Sequence, residues 1–245
     1  MKNLVLTFAF MAASSPVLCS AQSTLGDIFK KAQQATQATN TGSLSNDKIT
    51  AGLKQALQIS TGKAVAATGR PDGFLKNAAI KILLPPKLRT ASNGLRMVGM
   101  GSQVDALEVG MNRAAEQAAP AAKQIFINAL TKMTFADARQ ILSGGDTAAT
   151  DYFKKVGSNQ LTVAFTPTVH KAMENVGVVR QYNQMMQNPV AASLSKGQNL
   201  NLDNYVVGKT LDGLFYMLGE EEKKIRRDPA AQTTALLKEV FGRKR

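Results

Sequence analysis

Tryptophan is absent from this 245-residue chain, and cysteine and histidine occur once each. The lone histidine, His170, excludes a zinc site built on several imidazoles and any relay of histidines. The lone cysteine, Cys19, falls in a leader segment. Once that leader is removed, the chain has no thiol nucleophile and no disulfide, and apolar burial must hold the fold. No apolar run approaches the roughly 20 residues that a membrane-spanning helix needs. A nucleophile elbow is missing as well, because no GxSxG follows a strand pattern. GMG (99–101) has no parallel strand before it and reads as a helix break rather than a dinucleotide loop.

What is present begins with the leader. Lys2 gives a positive start, LVLTFAFMAA (4–13) is a short apolar stretch, and Pro16 ends it. CSA (19–21) puts small residues at the −3 and −1 positions of a cleavage site before Gln22. Residues 1–21 are therefore expected to be a cleavable secretory signal peptide, and the protein to be periplasmic. Leu18 stands where a lipoprotein signal carries a small residue, so a lipid anchor on Cys19 is not expected. Net charge is +13, which draws an exported protein toward anionic lipid or polysaccharide at the envelope surface. Lysines and arginines are spread along the chain, so a merely solubilising role for the charge stands beside that reading. Nucleic acid is not an expected partner.

TLGDIFKKAQQATQATN (24–40) is polar, and residues 22–43 are expected to form a flexible or weakly helical arm. Helical spacing dominates after it. Ile49, Leu53, Ala56, Leu57, Ser60, Ala64 and Ala67 share one face of a helix that Ser45 or Asn46 caps and Gly69 stops. RPDG (70–73) is a turn. IKILLPP (80–86) stays extended, because a residue before proline avoids the helical region. That predicts one short extended or hairpin segment near 72–86, with a helix restarting at Pro86. Ser102 is expected to cap a long helix reaching 133 that Pro120 kinks. Thr134 with Asp137 forms a capping-box variant. Gly144 and Gly145 stop the helix it opens, and Asp146 or Thr147 is expected to cap the next, ending near Gly157. Ser158 opens another, interrupted at Pro167. Helices over 178–187, 202–228 (capped by Asp203) and 229–242 follow, with a loop at 188–201 and a basic tail at 243–245. There is no tandem repeat and no long linker. The expectation is an all-α, single multi-helix domain over 44–242.

Five phrases recur together: DGFL (72–75), IKILLPPKL (80–88), MNRAAEQAAP (111–120), TFADARQILSGGDTAATDYF (134–153) and LDGLFYMLGEEEKKIRRDPAAQTTALLKEVFG (211–242). In that order they resemble the bacterial family designated domain of unknown function 4197, over roughly residues 44–242. The resemblance implies a helical exported protein and transfers no activity onto particular residues. Some members carry a lipid anchor, and Leu18 is where this chain departs from them.

Two segments carry the candidate chemistry. SGGDTAATDYF (143–153) sets a glycine pair before a helix N-terminus, where exposed amides and the dipole attract an anion. Asp146 would repel phosphate there, so the segment reads first as a stop followed by a cap. As a ligand site it offers Asp146, Thr147, Thr150 and Tyr152. The second segment places Asp105, Glu108, Asn112 and Glu116 along one side of a helix, with Arg113 three residues before Glu116. Asn112, Arg113 and Glu116 sit among alanines, which makes them candidate ligand residues. Paired carboxylates of this kind can hold a divalent ion or act as acid and base. The other reading is a polar face, or an ion pair that fixes helix register. The stripe Leu211, Leu214, Phe215, Leu218, Ile225 passes through 221–222, so Glu222 or Glu221 faces inward and needs a partner. Arg113 is the expected one.

No metal or cofactor is expected. The favoured function is a non-catalytic exported binding or envelope-associated protein of unknown ligand, an anion being one candidate, in a cleft that gathers residues of 105–116 and 146–152 with Glu222. The alternatives are a carboxylate-dependent hydrolase or lyase, using Glu116 with Asp146 or Asp151, and an adaptor for anionic lipid or polysaccharide.

Overall fold

The Ser45 side chain accepts a hydrogen bond from the Lys48 amide at 3.3 Å and starts α1 (Asn46–Gly69). The computed structural model describes residues 45–189 and 201–242. The leader 1–21, the arm 22–43, most of the loop at 188–201 and the tail 243–245 lie outside the described residues. α1 buries Leu53, Ala56, Leu57 and Ala64. Its buried hydroxyls, Ser60, Thr61 and Thr68, each donate to a carbonyl four residues back, so none is left unpaired.

α2 (Pro86–Met97) opens on the expected proline. Gly99 takes φ +84 and turns the chain into α3 (Gly101–Ala118), whose cap position is Met100 rather than Ser102. Pro120 does divide the long helix: a 3₁₀ turn at Ala119–Ala121 separates α3 from α4 (Ala122–Lys132). α5 (Phe135–Ser143) carries the reciprocal Thr134–Asp137 capping box.

α6 (Ala148–Asn175) runs through both expected interruptions. A glycine in a helix costs about 1 kcal/mol. Burial of Phe153, Leu161, Phe165, Val169 and Met173 along the same helix outweighs it. Pro167 is exposed, so water can take up the carbonyl it leaves unpaired. α7 (Val178–Met186) follows Gly177 at φ +75. α8 (Leu202–Arg227) is capped by Asn201, which accepts from the Asn204 amide at 2.9 Å. Asp203, the expected cap, turns to His170 instead. After a 3₁₀ turn at Pro229–Ala231, Thr234 caps a shorter last helix than expected, α9 (Ala235–Phe241).

The protein is an all-α single domain. α6 and α8 pack against each other; α1 lies on α8, α4, α5 and α9, while α3 lies on α6, α7 and α2. Phe126 ties this core together, meeting Phe153 edge-on at 5.2 Å and Phe215 at 6.2 Å. α1 and α9 close on each other: Thr234 donates to Gln55 at 2.9 Å, and Lys48 lies 3.5 Å from Glu239.

No hairpin forms among the described residues. The 81–84 segment alternates like a strand, with Ile82 and Leu84 buried and Lys81 and Leu83 exposed. Its backbone partner is a helix side chain, because no second extended segment lies beside it.

Candidate functional site

The polar face of α3 is a rail that holds the chain of residues 72–82. Asn112, wholly buried, accepts from the Ile82 amide at 2.8 Å and donates to the Ile82 carbonyl at 2.8 Å. One side-chain amide thereby replaces the neighbouring strand. Its second amide hydrogen goes to the Glu108 carbonyl. One helical turn on, Glu116 Oε1 accepts from the amides of Phe74 and Leu75 at 3.0 and 3.1 Å. Glu116 Oε2 takes Arg113 at 2.7 Å. Arg113 also reaches Asp72 at 2.6 Å, a residue held at φ +65, and Lys76 completes that cluster at 2.7 Å. Hydrogen bonds from Lys76, and then Arg113, hold the Asp72 carboxyl below the usual carboxylate range. Toward the start of α3, Glu108 pairs with Lys81 at 2.6 Å and Asp105 with Arg96.

Two glycines make the approach possible. A Cβ on Gly73 would stand 2.4 Å from the Ala67 carbonyl oxygen, and one on Gly213 of α8 would stand 2.5 Å from Phe74 Cε1. The turn can lie between α1 and α8 only because neither atom exists.

SGGDTAATDYF is a corner fastened from α8. Glu222 Oε1 accepts from the Ala149 amide at 2.9 Å. Its Oε2 accepts from the Thr150 amide and hydroxyl, both at 2.9 Å. A carboxylate from a distant helix thus serves as the N-terminal cap of α6, at the positive end of that helix. Arg226 completes the arrangement: it pairs with Glu222 at 2.9 Å and donates to the Ile141 carbonyl near the C-terminal end of α5. The two expectations made here are corrected. Arg113 is not the partner of Glu222, because Asp72 and Glu116 occupy it. Neither Asp146 nor Thr147 caps α6 through its side chain. Asp146 pairs with Arg227, whose hydrogen bond lowers its pKa, and Thr147 leans on Asp151 at 3.4 Å. Tyr152 is half-buried against Phe153, and burial raises its pKa.

The candidate residues therefore fall into two groups, Asn112–Arg113–Glu116 around the 72–82 turn and Asp146–Thr147–Thr150–Glu222 around the α5–α6 corner. None of the hydrogen bonds described joins them. Beside the first lies an open cleft of about 340 Å³, lined by Ala79–Lys81, Leu83, Arg89 and the α8 residues Tyr205, Lys209, Asp212, Gly213 and Tyr216. Tyr205 closes one end of it by donating to the Leu83 carbonyl at 2.9 Å. Lys209 pairs with Asp212 at 2.8 Å. Arg89 donates through Nε to the Leu84 carbonyl at 3.2 Å, and among the described residues no carboxylate pairs with it. Burial raises the Tyr205 pKa; the charges of Lys209 and Arg89 oppose that, and those of Asp212 and Glu108 add to it. The sequence did carry a signal for this cleft: positions 205, 209, 212 and 216 step along one face of α8, opposite its apolar stripe.

A model of the family described as protein of unknown function (DUF4197) matches residues 43–242. The chain belongs to this family. The match takes in α1 through α9, and hence both clasps and the cleft. No curated protein and no solved structure matches the chain. Among the described residues, no three His, Cys, Asp or Glu side chains gather as a metal site, and no helix is long and apolar enough to cross a membrane.

His170 links α6 to the start of α8, the helix that walls the cleft. Its Nδ1 lies 2.6 Å from Asp203 and its Nε2 3.2 Å from Glu174. The Asp203 hydrogen bond, with the charges of Asp203 and Glu174, raises its pKa above the ordinary 6.5. A raised histidine pKa contributes stability that is complete below the unfolded value and is lost as pH climbs through the folded one. The link is therefore expected to weaken from about pH 6.5 upward. As the only histidine, His170 gives one imidazole resonance; its midpoint is expected above 6.5 and to fall on Asp203→Asn.

Proposed function

We propose that the protein is an exported, non-catalytic binding protein that takes a small anion in the cleft between residues 79–89 and α8. Export rests on the leader pattern of residues 1–21. The observation that carries the binding reading is the cleft's lining: Lys81 is paired with Glu108 and Lys209 with Asp212, while Arg89 lines the same cleft with no carboxylate partner among the described residues. A concave site with a few converging polar groups is where a ligand is first sought. Carboxylate chemistry has less support. Both oxygens of Glu116 and both of Glu222 already accept hydrogen bonds from backbone amides or cationic side chains, which leaves neither as a ready base. The adaptor reading has only the net charge of +13 behind it.

The test is thermal unfolding of the processed chain in inorganic phosphate, acetate and citrate, at matched ionic strength. A ligand at 100 times its dissociation constant adds about 2.7 kcal/mol, a shift that is easily read. At least one anion is expected to raise the melting temperature, and Arg89→Ala with Lys209→Ala to abolish that rise. No shift with any of the three, or an undiminished shift in the double variant, overturns the proposal.

A further inference from the structure

The cleft has one wall made of backbone. In an extended chain the N–H and C=O of one residue point to one edge, and those of its neighbours point to the other. Ile82 gives both groups to Asn112 on α3. Lys81 and Leu83 therefore present theirs to the opposite edge, where the Leu83 carbonyl takes the Tyr205 hydroxyl. That edge faces the cleft. The Lys81 amide is used by the turn, donating to Asn77 at 2.8 Å. The Lys81 carbonyl and the Leu83 amide have no partner among the described residues. An unpaired strand edge is a template for another extended chain, which lies about 4.8 Å away when paired.

Resting on the proposed function of this same cleft, we propose that its ligand is a short acidic peptide in extended conformation. Its backbone pairs with the Lys81 carbonyl and the Leu83 amide, and an acidic side chain meets Arg89 and Lys209. The charge pattern agrees, because Arg89 lines the same cleft without a carboxylate partner among the described residues, and Lys209 lines it too. The cleft volume of about 340 Å³ suits a few residues rather than a folded partner. Asp212 stands between Lys209 and Tyr216, both on its own helix, so a run of consecutive acids is disfavoured and spaced ones are preferred.

Three probes separate this inference from the broader reading: acetate, a blocked pentapeptide alternating alanine and glutamate, and the same pentapeptide N-methylated at its central amide. Binding is followed by calorimetry and by the Leu83 amide resonance. The pentapeptide is expected to bind at least tenfold more tightly than acetate, to shift and protect the Leu83 amide, and to lose about tenfold on N-methylation. Leu83→Pro removes the amide while keeping the segment extended, and is expected to weaken the pentapeptide about tenfold more than it weakens acetate. If acetate binds and the pentapeptide is no tighter, or if N-methylation changes nothing, the peptide inference fails and the anion reading stands. If neither acetate nor peptide perturbs the cleft, the peptide inference fails, and the anion reading fails with it when phosphate and citrate also leave the melting temperature unchanged.

Discussion

Glu222→Ala is expected to destabilise the protein by about 3–5 kcal/mol, the usual cost of removing one partner from a buried ion pair. Urea denaturation of the processed chain measures it, and the melting temperature should fall by roughly 10 °C. Glu222 is 3% exposed, and the Arg226 side chain opposite it is 11% exposed. Deletion leaves a buried guanidinium with only the Ile141 carbonyl. It also strips two amides at the start of α6 of their acceptor. Pairing with the right apolar substitutions is predicted to be far milder than the single loss. Glu222→Leu with Arg226→Met removes both charges together and should recover most of the stability. Lys123→Ala, at an exposed position of α4, serves as the control and should fall within about 0.5 kcal/mol of the parent. A Glu222→Ala protein as stable as that control would mean that α6 does not need its borrowed cap.

The Glu222 corner also shows how far local pattern reaches. The apolar stripe of α8 announces that a carboxylate points inward, because burial follows from spacing along one helix. Its ionic partner, Arg226, follows from spacing on the same helix, but the amides it caps lie in another helix, 73 residues away for Ala149, and no periodicity encodes that distance. Caps made within three residues were legible where a side chain and its amide are neighbours, as at Ser45 and Thr134. They were misread at Asp146, where Glu222 from a distant helix takes the place of a local cap, and at Asp203, where Asn201 just before it is the local cap and Asp203 turns to the distant His170. The polar side of α3 was equally visible. What it grips was not, since the gripped groups are backbone amides and every residue type carries those. The cleft residues were passed over because lysines and tyrosines on a helix exterior look like ordinary solvated surface until a second wall is known.

Asn112→Leu is expected to cost about 2–4 kcal/mol. The change keeps the volume of a wholly buried side chain but leaves the Ile82 amide and carbonyl without partners, at about 1–3 kcal/mol for each unsatisfied group. The lower part of the summed range applies because the segment can shift toward water. Two measurements check it. Denaturation should show the loss, and hydrogen exchange of the Ile82 amide should rise to the rate of an exposed segment. The loss should be selective: α6 and α8 keep their protection while residues 79–84 come loose. A uniform decline in protection would argue that Asn112 supports the whole core rather than the cleft wall.

The embrace of α1 by α9 has a consequence for biosynthesis. Gln55 and Thr234 are 179 residues apart, so α1 stays without this neighbour until α9 has been synthesised. Completion of the packing around α1 therefore waits for α9. The basic cleft depends on the same late arrival, because its far wall is α8. A polypeptide interrupted before that point would have neither a finished interior nor the cleft.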